Sequence, residues 1–207
     1  MYLSRIKLNV SRNKTMKAIS SPQVLHAIVE GCFSQENRTL WRLDSLNGNM
    51  YLLIVSEYEP NFESLASQLC GNEESGQIRD YVSFLNKIED GQKLRFRFRG
   101  NPVYSVMQGK GERGKVKPHV SEKHKRDWLL QKSSQHGFTL EEDDFTMVDT
   151  GQQRFSRQAT EKRVELSHAT FEGVLTVTDS QQFVAALSQG IGRGKAYGCG
   201  MMTVIVL

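Results

Sequence analysis

The stretch Ser188 to Met202, SQGIGRGKAYGCGMM, sets the tightest limit on how this chain can fold. Gly190, Gly192, Gly194, Gly198 and Gly200 crowd into it, with Arg193, Lys195 and Tyr197 between them. Glycine loses the most conformational freedom on ordering, so such density breaks both helices and strands. A helical pattern precedes the glycines and the apolar run Met201 to Val206 follows, which makes the stretch a helix-to-strand connection. Glycine also lets another molecule's backbone come close, and consecutive N–H groups beside a basic side chain form an anion cradle. Gly192, Arg193, Gly194, Lys195 and Tyr197 are therefore candidate contacts to phosphate. The plainer reading is a flexible connector, and composition favours neither. Spacing excludes the phosphate loop of nucleotidases, which would need glycine at Gln189 and a hydroxyl residue at Ala196. A dinucleotide fingerprint would open a helix after a strand, the reverse of the order here.

At 207 residues the chain can bury one good core or two small ones. Its net charge of +4 points to an acidic partner, nucleic acid before membrane, since no basic amphipathic segment carries a bulky apolar face. Met1 to Val10 alternates polar and apolar residues, unlike a signal peptide, and no stretch approaches the ~20 apolar residues of a membrane span. Cys32, Cys70 and Cys199 are few, odd in number and far apart, which suits a reducing cytoplasm.

The alternation of Tyr2, Ser4, Ile6, Leu8 and Val10 predicts a half-buried strand. Ser20 or Ser21 then caps a helix with Pro22 at its first position, and Leu25, Ile28, Val29, Cys32 and Phe33 make its buried face. His26 falls at the edge of that apolar stripe, and periodicity alone reads it as structural or solvated. Leu40 to Leu46 and Met50 to Glu57 flank Asn47-Gly48-Asn49 as a hairpin. A second helix opens at Pro60 or Asn61, and Ile78 to Ile88 suits either a strand or a helix. The order is that of a ferredoxin-like half, ending near Asp90-Gly91.

In the second half, Lys93 to Arg99 alternates strictly, with Leu94, Phe96 and Phe98 on one side and four basic residues on the other. Such a stripe needs an anion over it or acidic neighbours beside it. Gly109 to Lys132 is rich in Lys and Arg, which suits a solvated surface or the footprint of nucleic-acid binding: GKGERGK reads as a mobile basic loop, with Lys115 and Lys117 as candidate RNA contacts, and Ser121 to about His136 as a helix stopped by Gly137. Gly151 to Arg163 is polar sequence between extended runs, so it predicts a projecting hairpin carrying Arg154, Arg157, Lys162 and Arg163. A β-rich run, a helix capped by Asp179 or Ser180, and the glycine stretch complete a second β-α-β-β-α-β outline.

The five histidines form no HExxH and no close pair of histidines sharing one helical face with an acid, and no carboxylate set suits two-metal chemistry, so no metal or cofactor is expected. A basic protein of this kind that cuts nucleic acid has a route without metal. RNA supplies its own 2′-hydroxyl nucleophile, and the protein needs a proton-transfer group plus cations around the phosphorane charge.

MYLSRIKLNV, QVLHAIVEG, RFRFRGNPV, WLLQKSSQHGF, FEGVLTV and GIGRGKAYGCGMMTV, in this order, resemble the CasE-type CRISPR RNA endonucleases over essentially the whole chain. The resemblance implies an α+β fold of two tandem ferredoxin-like domains, 1–90 and 91–207. It implies cleavage of precursor CRISPR RNA at the 3′ base of the repeat stem-loop, with 5′-hydroxyl and 2′,3′-cyclic phosphate ends. The protein would then stay on its product beside other Cascade subunits, binding no DNA directly. His26 falls on the family's catalytic histidine. Gln23 stands where a tyrosine is expected; it can donate a hydrogen bond to a phosphate oxygen but cannot transfer a proton. Arg154, Arg157, Lys162 and Arg163 fall in the hairpin that grips the RNA stem, and Lys195 and its glycines in the loop beside the active-site helix. The rival readings are a binding-only RNA module of the same fold and a nucleotide-dependent enzyme using the glycine stretch.

Overall fold

The computed structural model describes residues 1–71, 76–107, 109, 114–157 and 160–207, with side chains of 156–163 left aside. The basic loop anticipated at GKGERGK therefore lies largely outside the described residues. The chain is a mixed α+β structure built on antiparallel sheets.

The first half runs β1 (Tyr2–Leu8), α1 (Asn13–Ile19), α2 (Pro22–Glu30), β2 (Thr39–Leu46), β3 (Asn49–Ser56), α3 (Glu63–Leu65) and β4 (Gln77–Asp80), with sheet order β2-β3-β1-β4. The Asn-Gly hairpin forms as expected, with Asn47 at φ 49° and Gly48 at φ 75°. After α3 the helix widens into a π turn over Ala66–Cys70. The ambiguous run at Ile78 divides into β4 and a single helical turn, α4 (Val82–Leu85), whose start is fixed by Asp80 accepting from the backbone N–H of Val82 and Ser83. Helix α1 is a finding the sequence does not announce. It buries only Thr15 and Ala18, too few apolar positions to show a period.

Alternate residues of β3 face opposite ways. Leu52 and Ile54 pack with Leu25, Val29 and Leu65 of the helices, whereas Leu53 and Val55 join the core of the second half. The first sheet is thus covered on both faces, and one cluster runs from Leu40 and Val55 into Phe96, Phe98 and Phe171.

The second half runs β5 (Lys93–Gly100), β6 (Val103–Val106), β7 (Lys115–Pro118), α5 (Glu122–Ser134), β8 (Phe138–Thr139), β9 (Phe145–Arg157), β10 (Thr160–Val177), α6 (Ser180–Gln189) and β11 (Met202–Val206). Its main sheet has the order β11-β5-β10-β8, with β9 also on β10, and β6 pairs β7 in a separate ribbon. Ser121 caps α5 and Asp179 caps α6 through their side chains. Gly137 stops α5 at φ 75°, where a Cβ would stand 2.3 Å from the Asp179 carbonyl oxygen.

The basic stripe on β5 has acidic neighbours. Arg97 bonds both Asp44 and Glu172. Beneath it Arg42, 1% exposed, holds Asp44 through two nitrogens and also donates to the carbonyls of Arg97 and Met201. This buried pair ties β2 of the first half to β5 and β11 of the second.

Candidate active site

Helix α2 presents His26. Leu25 and Val29, both fully buried, anchor one side of the helix, and Pro22 sets its first turn. His26 is one residue beyond the anchor, with 34% of its side chain exposed. Its Nδ1 is enclosed, makes no hydrogen bond and lies 3.8 Å from the carboxylate of Glu30, so the open part of the ring is its other edge. The i,i+4 spacing of His26 and Glu30 on one helix is the signal in the sequence for this approach.

The glycine stretch packs beside this ring. All five glycines adopt positive φ, between 75° and 92°. Between them Lys195–Tyr197 makes one 3₁₀ turn, and the Gly194 carbonyl accepts from the N–H groups of Tyr197 and Cys199. The N–H groups of Ile191, Gly198 and Gly200 are likewise bonded inward, which leaves a narrower cradle than five glycines suggest. Gly198 rests on Trp41 of β2: a Cβ there would stand 2.6 Å from the indole ring. That contact brings Tyr197 to His26, with ring centroids 6.3 Å apart and planes at 71°. Phe155 of β9 packs on the far side of Tyr197 at 4.8 Å, also edge-on. Three segments distant in sequence therefore meet in one row. A cavity of about 20 Å³, lined by Pro22, Trp41, Arg99, Gln153, Tyr197 and Gly198, marks their junction.

The remaining expected residues are spread over several elements. Gln23 is half-buried, in a groove that Lys14 and Lys17 of α1 also line. Arg193 is exposed. Lys195 donates to the carbonyl of Gln189 at 2.6 Å, and desolvation, with Arg38 adding repulsion, holds its ammonium below the usual lysine range. Arg154 is 74% exposed and pairs with Glu165 across the hairpin at 2.8 Å. The paired strands β9 and β10 form the expected hairpin; the side chains of Arg157, Lys162 and Arg163 lie outside the described residues. Lys115 and Lys117 are exposed on the separate ribbon.

Cys199, though inside the glycine loop, is fully buried, and burial pushes its thiol up to about 11, which leaves it inert as a nucleophile. Among the described residues no three His, Cys, Asp or Glu side chains cluster so as to hold a metal ion, and no helix is long and apolar enough to cross a membrane.

The chain matches the family described as CRISPR associated protein over residues 1–205. It belongs to that family. This CRISPR associated protein is similar to the CRISPR-associated endoribonuclease Cse3 of Thermus thermophilus, at 26% identity over 220 residues covering 99% of each chain. It is also similar to the CRISPR system Cascade subunit CasE of Escherichia coli, at 27% identity over 128 residues, 58% of this chain and 62% of that one. Among solved structures, Thermus thermophilus Cse3 bound to an RNA representing a pre-cleavage complex superposes with a TM-score of 0.79 at 23% identity, covering 99% of this CRISPR associated protein and 98% of the other chain. That likeness shows a shared fold.

Proposed function

We propose that this CRISPR associated protein is an endoribonuclease that cuts precursor CRISPR RNA at the 3′ base of the repeat stem-loop and stays on its product as a Cascade subunit, in the cytoplasm. The observation that carries this reading is the placement of His26: a partly open imidazole on a helix, walled by the glycine loop through Tyr197 and flanked by the hairpin through Phe155. The whole-length similarity to an endoribonuclease supports it. The scaffold is two tandem ferredoxin-like domains, 1–90 and 91–207. Strand orders β4-β1-β3-β2 and β8-β10-β5-β11 support that division, each half having helices in its two crossovers.

In the reaction, the 2′-oxygen bonds to phosphorus as the bond to the 5′-oxygen breaks. One proton leaves the 2′-hydroxyl and another arrives on the departing 5′-oxygen, leaving a 2′,3′-cyclic phosphate and a 5′-hydroxyl. His26 carries one of these transfers. Gln23, one helical turn away, donates to a phosphate oxygen and moves no proton. The exposed cations Arg154 and Arg193 face the RNA backbone, and the glycine loop lets it come close.

Gln23 also favours a second reading, a binding-only subunit, because the pair of proton-transfer groups is incomplete there. One experiment separates the two. Repeat RNA is incubated with the protein in EDTA, with ribose or 2′-deoxyribose at the cleavage nucleotide. The nuclease binds both and cuts the ribose RNA alone. Binding without any cut supports the module, and cutting of the deoxy substrate excludes the 2′-hydroxyl route.

A further inference from the structure

The β6–β7 ribbon stands apart from both larger sheets. Directly opposed residues of an antiparallel pair share a face, so Tyr104 with Lys117 and Val106 with Lys115 line one side. The root of the ribbon is closed by the N–H of His119 donating to the Pro102 carbonyl at 2.9 Å. The His119 ring lies on Tyr104, with centroids 4.9 Å apart and planes tilted by 38°. His124, from the first turn of α5, lies 5.8 Å beyond His119, its Nδ1 held by the Ser121 hydroxyl at 2.9 Å. The three rings, with Pro118 and Val120, line an open pocket of about 510 Å³. Tyr104 is 44% and Val120 76% exposed.

Two properties define an occupant. Desolvation, with the neighbouring His124, holds His119 below the ordinary histidine range even though Asp127 acts the other way, so near neutral pH it offers an uncharged aromatic face. Lys117 opposite Tyr104 and Lys115 opposite Val106 are exposed on the same side of the ribbon, and Lys123 is exposed in the first turn of α5. Flat rings edged by cations suit a molecule with a π-face and a phosphate, which is an unpaired nucleotide. An apolar protein segment would leave the lysines without partners.

Position narrows the choice further. Asn101 lies against the glycine loop, its amide nitrogen 3.4 Å from where a Gly194 Cβ would be. Tyr104 follows three residues later, within about 10 Å by the rise of extended chain. The ribbon that carries Tyr104 therefore springs from a residue in contact with the glycine loop.

We propose that Tyr104, His119 and His124 form a stacking platform for an unpaired nucleotide in the single strand flanking the repeat stem, with Lys115 and Lys117 on its phosphates. The proposal rests on the RNA-processing reading above, and its test keeps the two separable. The full chain is titrated with two RNAs, the stem-loop with its flanking nucleotides and the same stem-loop trimmed of them. Tyr104→Ala is expected to lose about tenfold in affinity for the flanked RNA and nothing for the trimmed one. Tyr104→Phe restores the flanked affinity, and His119→Ala repeats the loss if Tyr104→Ala folds poorly by thermal melt. Equal losses on both RNAs, or no loss on either, overturn the platform while leaving the nuclease standing, provided wild type binds and cuts. A wild type that binds neither RNA overturns both.

Discussion

The imidazole of His26 stands edge-on to the phenol ring of Tyr197, 6.3 Å between centroids, although one belongs to the opening helix and the other to the last loop. This geometry is within the favourable range for aromatic pairs. Phe155 continues the row into the hairpin, so under the proposed function an RNA on the hairpin would bear on the wall of the His26 ring. Tyr197→Ala is expected to slow cleavage about ten- to a hundredfold through a misplaced imidazole, with a smaller loss in RNA affinity. Tyr197→Phe keeps the ring and most of the rate. Single-turnover kinetics beside a binding titration read both numbers.

Gly198 holds that wall in place. Its φ of 76° and the 2.6 Å approach of Trp41 to a Cβ leave no room for alanine. Gly198→Ala is expected to cost about 1–3 kcal/mol of stability, measured by urea unfolding, and to lower cleavage further by shifting Tyr197.

Much of this arrangement is legible in the sequence, and what is not has physical reasons. The Asn47-Gly48 hairpin, the capped α5 and α6 and the glycine connection follow from local turn and cap chemistry. The facing of Leu94, Phe96 and Phe98 follows from a period of two. Helix α1 is hidden because it has no side-chain cap and buries two small residues. Arg42 and Asp44 share one face of β2, and nothing in the local sequence marks that face as interior. They are buried because a second sheet packs over that face, which no local pattern encodes. His26 has no periodic signal beyond an edge position, and its place opposite Tyr197 exists only in the fold.

The buried pair gives a stability prediction. Arg42→Ala leaves Asp44 in the interior with Arg97 as its other cationic partner and frees the carbonyls of Arg97 and Met201. The expected loss is about 3–5 kcal/mol, while the double change Arg42→Met with Asp44→Leu recovers part of it. Urea midpoints of the three proteins provide the comparison.

His168 makes folding sensitive to acid. It is 7% exposed, and desolvation, then repulsion from Arg99, hold it below the ordinary histidine range despite the opposing pull of Asp149. A depressed folded value means the unfolded chain takes the proton first. Stability from this residue is therefore full above about pH 6.5 and is lost as pH falls toward the folded value. Denaturation midpoints at pH 7.5 and 5.5 should fall more in wild type than in His168→Gln; equal falls would remove His168 as the cause.

The hairpin cation Arg154 reads out in salt. Arg154→Ala is expected to weaken RNA binding and to flatten the slope of log affinity against log salt by up to about 0.9, less to the extent that Glu165 already neutralises it. An unchanged slope places the RNA elsewhere.

The most direct measurement is the single-turnover cleavage rate of repeat RNA at saturating protein, wild type against His26→Ala. The expected result is a loss of about 10²–10⁴-fold with RNA affinity unchanged. A variant that still cuts within a few-fold of wild type would contradict the role given to His26.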